Sequence, residues 1–154
     1  MVPSAREVGT YDKKPEMSAP EVAERFCEAL EQNGYSFAIV NFANPDMVGH
    51  TGFIPAVVKA IETSDACLAR VVETVERLGG VTLVTADHGN AEQMLEPDGT
   101  SPHTAHTSNP VPLIVTDHAA RLREGGELQD LVPTAIAYLG LTKPLQMTGE
   151  NLCI

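Results

Sequence analysis

Short apolar runs alternate along the chain with stretches in which apolar residues recur at helical spacing, and this alternation restricts the fold more than any other feature. The apolar runs predict short strands covered on both faces and lie at 36–42, 81–85 and 111–116. The helical stretches lie at 18–33, 54–78 and 131–139. Such alternation is typical of α/β domains, in which helices cover both faces of a sheet.

The predicted architecture is a three-layer αβα sandwich around a mostly parallel sheet. The chain has 154 residues, the size of one domain. Parallel strands are expected because right-handed crossovers join successive strands of such folds. Functional residues of these sheets gather in the loops that leave the carboxyl ends of the strands. That rule selects two polar loops, at 43–52 and 86–109.

Local signals mark the ends of the predicted helices. Ser18 and Glu21 have the spacing of a capping box at the start of the first helix. Gly34 can adopt the left-handed conformation that ends it. Asp130 is a candidate N-cap for the last helix.

Charge composition excludes several classes of partner. The chain has 10 Lys and Arg against 21 Asp and Glu, a net charge of -11, which disfavours nucleic acid and anionic membrane surfaces. No apolar run approaches the roughly 18 residues that span a bilayer. An odd cysteine count, with Cys27 and Cys67 in helical patterns, indicates reduced thiols. We therefore expect a cytoplasmic protein.

Both polar loops open with a carboxylate and an imidazole. Asp46 and His50 follow the first apolar run, and Asp87 and His88 follow the second. Taken singly, Asp46 could start a turn and Asp87 could cap a helix. Because the two pairs occur at the same point after two predicted strands, we expect all four side chains in one crevice.

A third imidazole can come from His103 or His106, and their spacing does not choose between them. Carboxylate and imidazole ligands without a thiolate suit Mn²⁺ or Zn²⁺. Five such ligands are too many for one tetrahedral ion with an open position and too few to close two ions. Two ions that share or lack ligands fit better, and paired ions about 3.5–4 Å apart are typical of phosphoryl transfer.

At these motifs the sequence resembles the cofactor-independent (2,3-bisphosphoglycerate-independent) phosphoglycerate mutases of the alkaline phosphatase superfamily. The matching stretches run along the whole chain in the family's order. They are 2–4, 10–12, 15–19, 41–52, 85–90, 104–107, 109–112 and 147–149. The resemblance implies an alkaline phosphatase-like α/β fold that is incomplete here, with residues 1–154 forming the C-terminal portion of the metal-binding phosphatase-type domain.

The resemblance also implies a ligand set and an activity. It assigns Asp46, His50 and His106 to one metal ion and Asp87 and His88 to the other. The ions are usually manganese in this family, with Zn, Mg or Co as alternatives. Such enzymes interconvert 3-phosphoglycerate and 2-phosphoglycerate in glycolysis through a phosphoserine intermediate.

The family's nucleophilic serine, a further metal-binding aspartate and most substrate-binding arginines lie in segments that have no counterpart in this sequence. We therefore expect the isolated chain to bind one ion without turning over phosphoglycerate. An uncovered sheet edge would leave it poorly soluble or paired with the missing N-terminal segment or another chain. The alternatives are a related metal-dependent phosphatase or phosphopentomutase, and a noncatalytic metal-binding module that complements a separate N-terminal half.

Overall fold

The computed structural model describes residues 1–5 and 7–154, and within them the chain forms four α-helices and one two-stranded sheet. In chain order the elements are α1 (Ala19–Asn33), α2 (Asn44–Gly49), α3 (Ile54–Arg77), β1 (Leu83–Thr85), β2 (Leu113–Val115) and α4 (Leu131–Tyr138). Short 3-10 turns lie at Tyr11–Lys13 and Leu128–Asp130. Among the described residues, no helix combines the length and the apolar character that a membrane span requires.

The three predicted helices are confirmed, and the packing of two of them builds the core. Apolar residues of α1 and α3 recur at three and four, so each helix has one apolar face. These faces bury Cys27, Cys67 and Val71 in a common cluster. Near the start of α3, Val57 packs with Val48 of α2. Val48 is fully buried. The contact with Val48 fixes α2 against the long helix.

The predicted helix ends are confirmed only in part. Gly34 follows α1 in the left-handed conformation, at φ 60°. The predicted capping box is wrong, because the Ser18 hydroxyl donates instead to the carbonyl of Pro3, 2.7 Å away. Asp130 makes no side-chain cap on α4. Its carboxylate accepts the backbone N–H of Glu150 at 2.7 Å and so holds the chain end against the last helix.

The sheet departs from the expected strand direction. Strands β1 and β2 pair antiparallel, with Leu83 opposite Val115 and Thr85 opposite Leu113. The parallel expectation assumed a helical crossover between successive strands. The connection from β1 to β2 contains no helix among the described residues, so the chain simply turns back beside the first strand.

The apolar run at 36–42 is described, but it is not paired with any strand in the described part of the chain. Phe42 packs against the core cluster of α1 and α3. Phe37 and Ile39 are 50% and 78% exposed. The prediction of a strand covered on both faces is therefore wrong for this structure, since the run forms no strand and only Val40 and Phe42 are partly buried in it.

Candidate metal centre

A short helix carries the first carboxylate and imidazole pair. The sequence predicted a loop at 43–52, but residues 44–49 form α2, with Pro45 in its first turn, where proline is tolerated. Asp46 and His50 are four residues apart and therefore lie on the same face of the helix. Asp46 Oδ1 lies 3.2 Å from His50 Nε2.

His106 reaches the same carboxylate oxygen from a distant part of the chain. Its Nε2 lies 3.1 Å from Asp46 Oδ1 and 3.2 Å from His50 Nε2. Ligand distances of about 2.0–2.2 Å in a tetrahedral site give ligand atoms about 3.3–3.6 Å apart. The triangle formed by one carboxylate oxygen and two imidazole nitrogens is close to that size, so its donor set fits a small divalent cation.

A backbone carbonyl sets the orientation of the His50 ring. His50 Nδ1 lies 2.7 Å from the carbonyl oxygen of Thr104. Because a carbonyl can only accept, Nδ1 must carry the proton of this hydrogen bond. The other ring nitrogen, Nε2, faces Asp46, and a metal-binding imidazole would offer its lone pair from this atom. Metal-binding histidines are commonly oriented by such a hydrogen bond.

Of the second predicted pair, His88 joins the cluster around Asp46 and Asp87 does not. The His88 ring stacks on that of His106, with centroids 3.8 Å apart. Ligand atoms of Asp46, His88 and His106 all lie within 4.8 Å of one another. Asp87 stays at the margin, with its side chain 78% exposed and its Oδ1 3.6 Å from His88 Nε2. Asp46 and His106 are thus common to two overlapping groups of three.

The structure separates the two candidate imidazoles that the sequence left open. His103 is largely buried, and its Nδ1 pairs with Glu96 Oε1 at 2.8 Å. His106 is the one that faces Asp46.

Sequence reasoning missed two polar side chains, one that contacts a predicted ligand and one that contacts the residue after His106. Asn90 is buried, and its Nδ2 donates to Asp46 Oδ1 at 3.2 Å. Glu92 accepts hydrogen bonds from the Thr107 hydroxyl, from Asn109 Nδ2 at 2.9 Å and from the backbone N–H of Asn90 at 2.6 Å. Their position directly after the Asp87 and His88 pair was the available signal.

These hydrogen bonds, led by that from the Thr107 hydroxyl, lower the pKa of Glu92 from 4.5 to about 2. A carboxyl whose pKa is depressed by folding stabilises the fold above the unfolded value and loses that contribution as the pH falls toward the folded value. We expect Glu92→Gln to destabilise the chain at neutral pH, with a deficit that shrinks as the pH falls from about 6 to about 3. Chemical denaturation of both proteins across this range measures the deficit.

The matched control for this pH series is Glu73→Gln, which changes an exposed glutamate on α3. Its effect on the free energy of unfolding should stay small across the range. A deficit for Glu92→Gln that remained constant with pH would contradict the assignment of these hydrogen bonds to an ionised carboxylate.

Comparison with known proteins gives the class of the chain. It belongs to the Metalloenzyme superfamily, whose family model matches residues 1–143. Over its full length it is 54% identical to a 2,3-bisphosphoglycerate-independent phosphoglycerate mutase of Chloroflexus aggregans, and over 99% of its length 52% identical to that of Ectopseudomonas mendocina. The chain spans 29% and 30% of the lengths of these two relatives.

A solved structure with the same fold is described as Leishmania mexicana phosphoglycerate mutase at low cobalt concentration. The two share 32% identity with a TM-score of 0.85, over 99% of this chain and 31% of that one. The resemblance drawn from the motifs is confirmed by these relatives. The predicted α/β fold of the alkaline phosphatase type, present only in part, is confirmed by the structural likeness.

Proposed function

We propose that this chain supplies the metal-binding C-terminal portion, residues 1–154, of a 2,3-bisphosphoglycerate-independent phosphoglycerate mutase. The observation that carries the proposal is the triangle of Asp46, His50 and His106, with atoms 3.1 to 3.2 Å apart. Relatives of that name share about half of their aligned residues with the chain. The reaction is the interconversion of 3-phosphoglycerate and 2-phosphoglycerate, a step of glycolysis, in the cytoplasm.

Two divalent ions are proposed for the whole enzyme. Asp46, His50 and His106 would hold the first, and Asp87 and His88 would contribute to the second. Manganese is the proposed ion, with Zn, Mg and Co as alternatives, and cobalt is named for the Leishmania mexicana structure. A divalent ion in such a site supplies positive charge that stabilises phosphoryl oxygens. The chain's own part is to hold the carboxylate and the imidazoles at fixed separations.

The exposed position of Asp87 supports the need for further residues at the second ion. A single exposed carboxylate beside one imidazole leaves most positions of a divalent ion to other groups. We propose that those groups, and the serine that accepts the phosphoryl group, belong to the remainder of an enzyme of the relatives' length. The open face of residues 36–42 is proposed to be covered by the same remainder, or by another chain.

The purified 154-residue chain is expected to show no phosphoglycerate mutase activity while still binding a divalent ion. Without a nucleophilic serine beside the ions, the phosphoryl group has no covalent acceptor. A coupled assay of 2-phosphoglycerate formation with saturating Mn²⁺ tests this. The control is a full-length mutase of the relatives' type, assayed in parallel. Turnover by the chain alone, at a rate that scales with its concentration, would overturn the proposal that the nucleophilic serine belongs to the remainder of the enzyme.

A further inference from the structure

We propose that residues 89–92, the positioning segment, orient the ligands of the metal centre. Asn90 holds the carboxylate of Asp46, and Glu92 holds the part of the chain that carries His106. The inference rests on the proposed function, because it concerns the same ion. It adds two residues that act through the ligands and that do not themselves bind the ion.

Asn90 acts on the oxygen at the centre of the cluster. Its Nδ2 donates to Asp46 Oδ1, the atom that also lies 3.1 Å from His106 Nε2 and 3.2 Å from His50 Nε2. A single donor on one carboxylate oxygen restricts the rotation of the group about its last side-chain bond. The remaining lone pairs of the carboxylate then point in fixed directions, which is how outer hydrogen bonds tune a ligand.

The packing around Asn90 leaves it little freedom. Asn90 is 5% exposed, and its side chain lies against α2 at Gly49, where an added Cβ would overlap Oδ1. That Oδ1 is buried and has no hydrogen-bond partner among the described residues. Buried amide oxygens normally find a donor. The Asn90 amide therefore leaves its oxygen unpaired while its nitrogen donates to Asp46. A role in orienting the Asp46 carboxylate accounts for this arrangement.

Glu92 ties together two distant stretches of the loop between β1 and β2, near the imidazoles. One of its oxygens accepts from the Thr107 hydroxyl and from Asn109 Nδ2, and the other accepts from the backbone N–H of Asn90. The backbone N–H of Thr107 also donates to the carbonyl of Gly89 at 2.8 Å. Because His106 directly precedes Thr107, these bonds fix where its ring stands.

The close approach of residues 89–92 to Thr107 requires a glycine at position 89. A Cβ at Gly89 would overlap both the Thr107 hydroxyl and the Glu92 carboxylate. His88 directly precedes Gly89, so the same contact sets the positions of His88 and His106, whose rings stack. The positioning segment therefore reaches a carboxylate on α2 and two imidazoles at distant positions of the loop between β1 and β2.

The experiment compares Asn90→Ala and Glu92→Gln with the wild-type chain. Glu92→Gln keeps the size of the side chain but turns one acceptor into a donor facing other donors. Calorimetric titration with Mn²⁺ and with Co²⁺ gives the dissociation constants, and the visible absorption of bound Co²⁺ reports ligand geometry. We expect both variants to bind either ion about 10–100-fold more weakly, with a changed Co²⁺ spectrum.

The matched control is Glu96→Gln, which alters a glutamate of the same loop that pairs with His103 outside the cluster. It should bind both ions as the wild type does. Thr107→Val and Thr107→Ser form a second pair that barely disturbs packing. The valine removes the donor to Glu92 and should weaken binding, whereas the serine keeps the hydroxyl and should restore it.

The outcomes separate this inference from the proposed function. If the wild-type chain binds neither ion, the proposed metal centre is rejected. If the wild type binds and all of Asn90→Ala, Glu92→Gln and Thr107→Val match its affinity and Co²⁺ spectrum, the positioning role is overturned and the metal centre stands. Weaker binding with a changed spectrum in these variants alone, and rescue by Thr107→Ser, supports the role.

Discussion

Replacing Asp46 and His50 together with alanine is expected to abolish specific divalent-metal binding, lowering the Mn²⁺ affinity by more than about 100-fold. These residues provide two of the three atoms that lie 3.1 to 3.2 Å apart. With only His106 left, the ion would be bound by a single side chain. The decrease in affinity should therefore exceed the roughly 10–100-fold decrease that follows mutation of residues that hydrogen-bond to the ligands. Calorimetric titration of Mn²⁺ into both proteins at one pH measures the difference.

The control for this experiment must distinguish a specific metal site from the general attraction of cations to an acidic surface. The chain has a net charge of -11, which draws divalent cations weakly to its whole surface. Asp65→Ala combined with His118→Ala removes the same two residue types from exposed positions, on α3 and after β2. This variant should bind Mn²⁺ as the wild type does. Equal affinity of the Asp46 and His50 variant and the wild type would reject the metal centre.

The sequence predicted that Asp46, His50, Asp87 and His88 share one crevice; the structure brings Asp46 and His50 together with His106 and leaves Asp87 exposed. The polar character of 43–52 predicts a loop around Asp46 and His50. The structure makes this stretch helical, with Val48 fully buried against α3. Tertiary burial of that kind overrides local preference. It also improves the geometry, since residues four apart are neighbours on one face of a helix.

The contacts that sequence reasoning missed are those between distant polar residues. Asn90 and Glu92 stand in a polar loop, where such residues are ordinary, and their role depends on reaching Asp46 and Thr107. Thr107 is 15 residues from Glu92 along the chain, and no local pattern links them. The direction of the sheet was missed for a related reason. Apolar content predicts that a strand exists, whereas its direction depends on the connection.

A second large effect concerns association of the isolated chain. We expect the wild-type chain to self-associate as its concentration rises through the micromolar range, and Phe37→Lys combined with Ile39→Lys to keep it monomeric. The two residues are 50% and 78% exposed, and no described strand pairs with the run 36–42 that contains them. An apolar segment without a strand partner can pair with another chain, and lysines on it prevent such pairing. Sedimentation velocity at several concentrations measures the association.

The matched control is Leu141→Lys combined with Leu145→Lys. These leucines are 60% and 98% exposed, and they follow α4 in a part of the chain with no extended apolar run. If exposed apolar area alone drives association, the control and the Phe37 and Ile39 variant should weaken association equally. If the unpaired run 36–42 is required, only the Phe37 and Ile39 variant should weaken it. A wild-type chain that stays monomeric throughout this range would contradict the prediction and show that the exposed run 36–42 does not drive association.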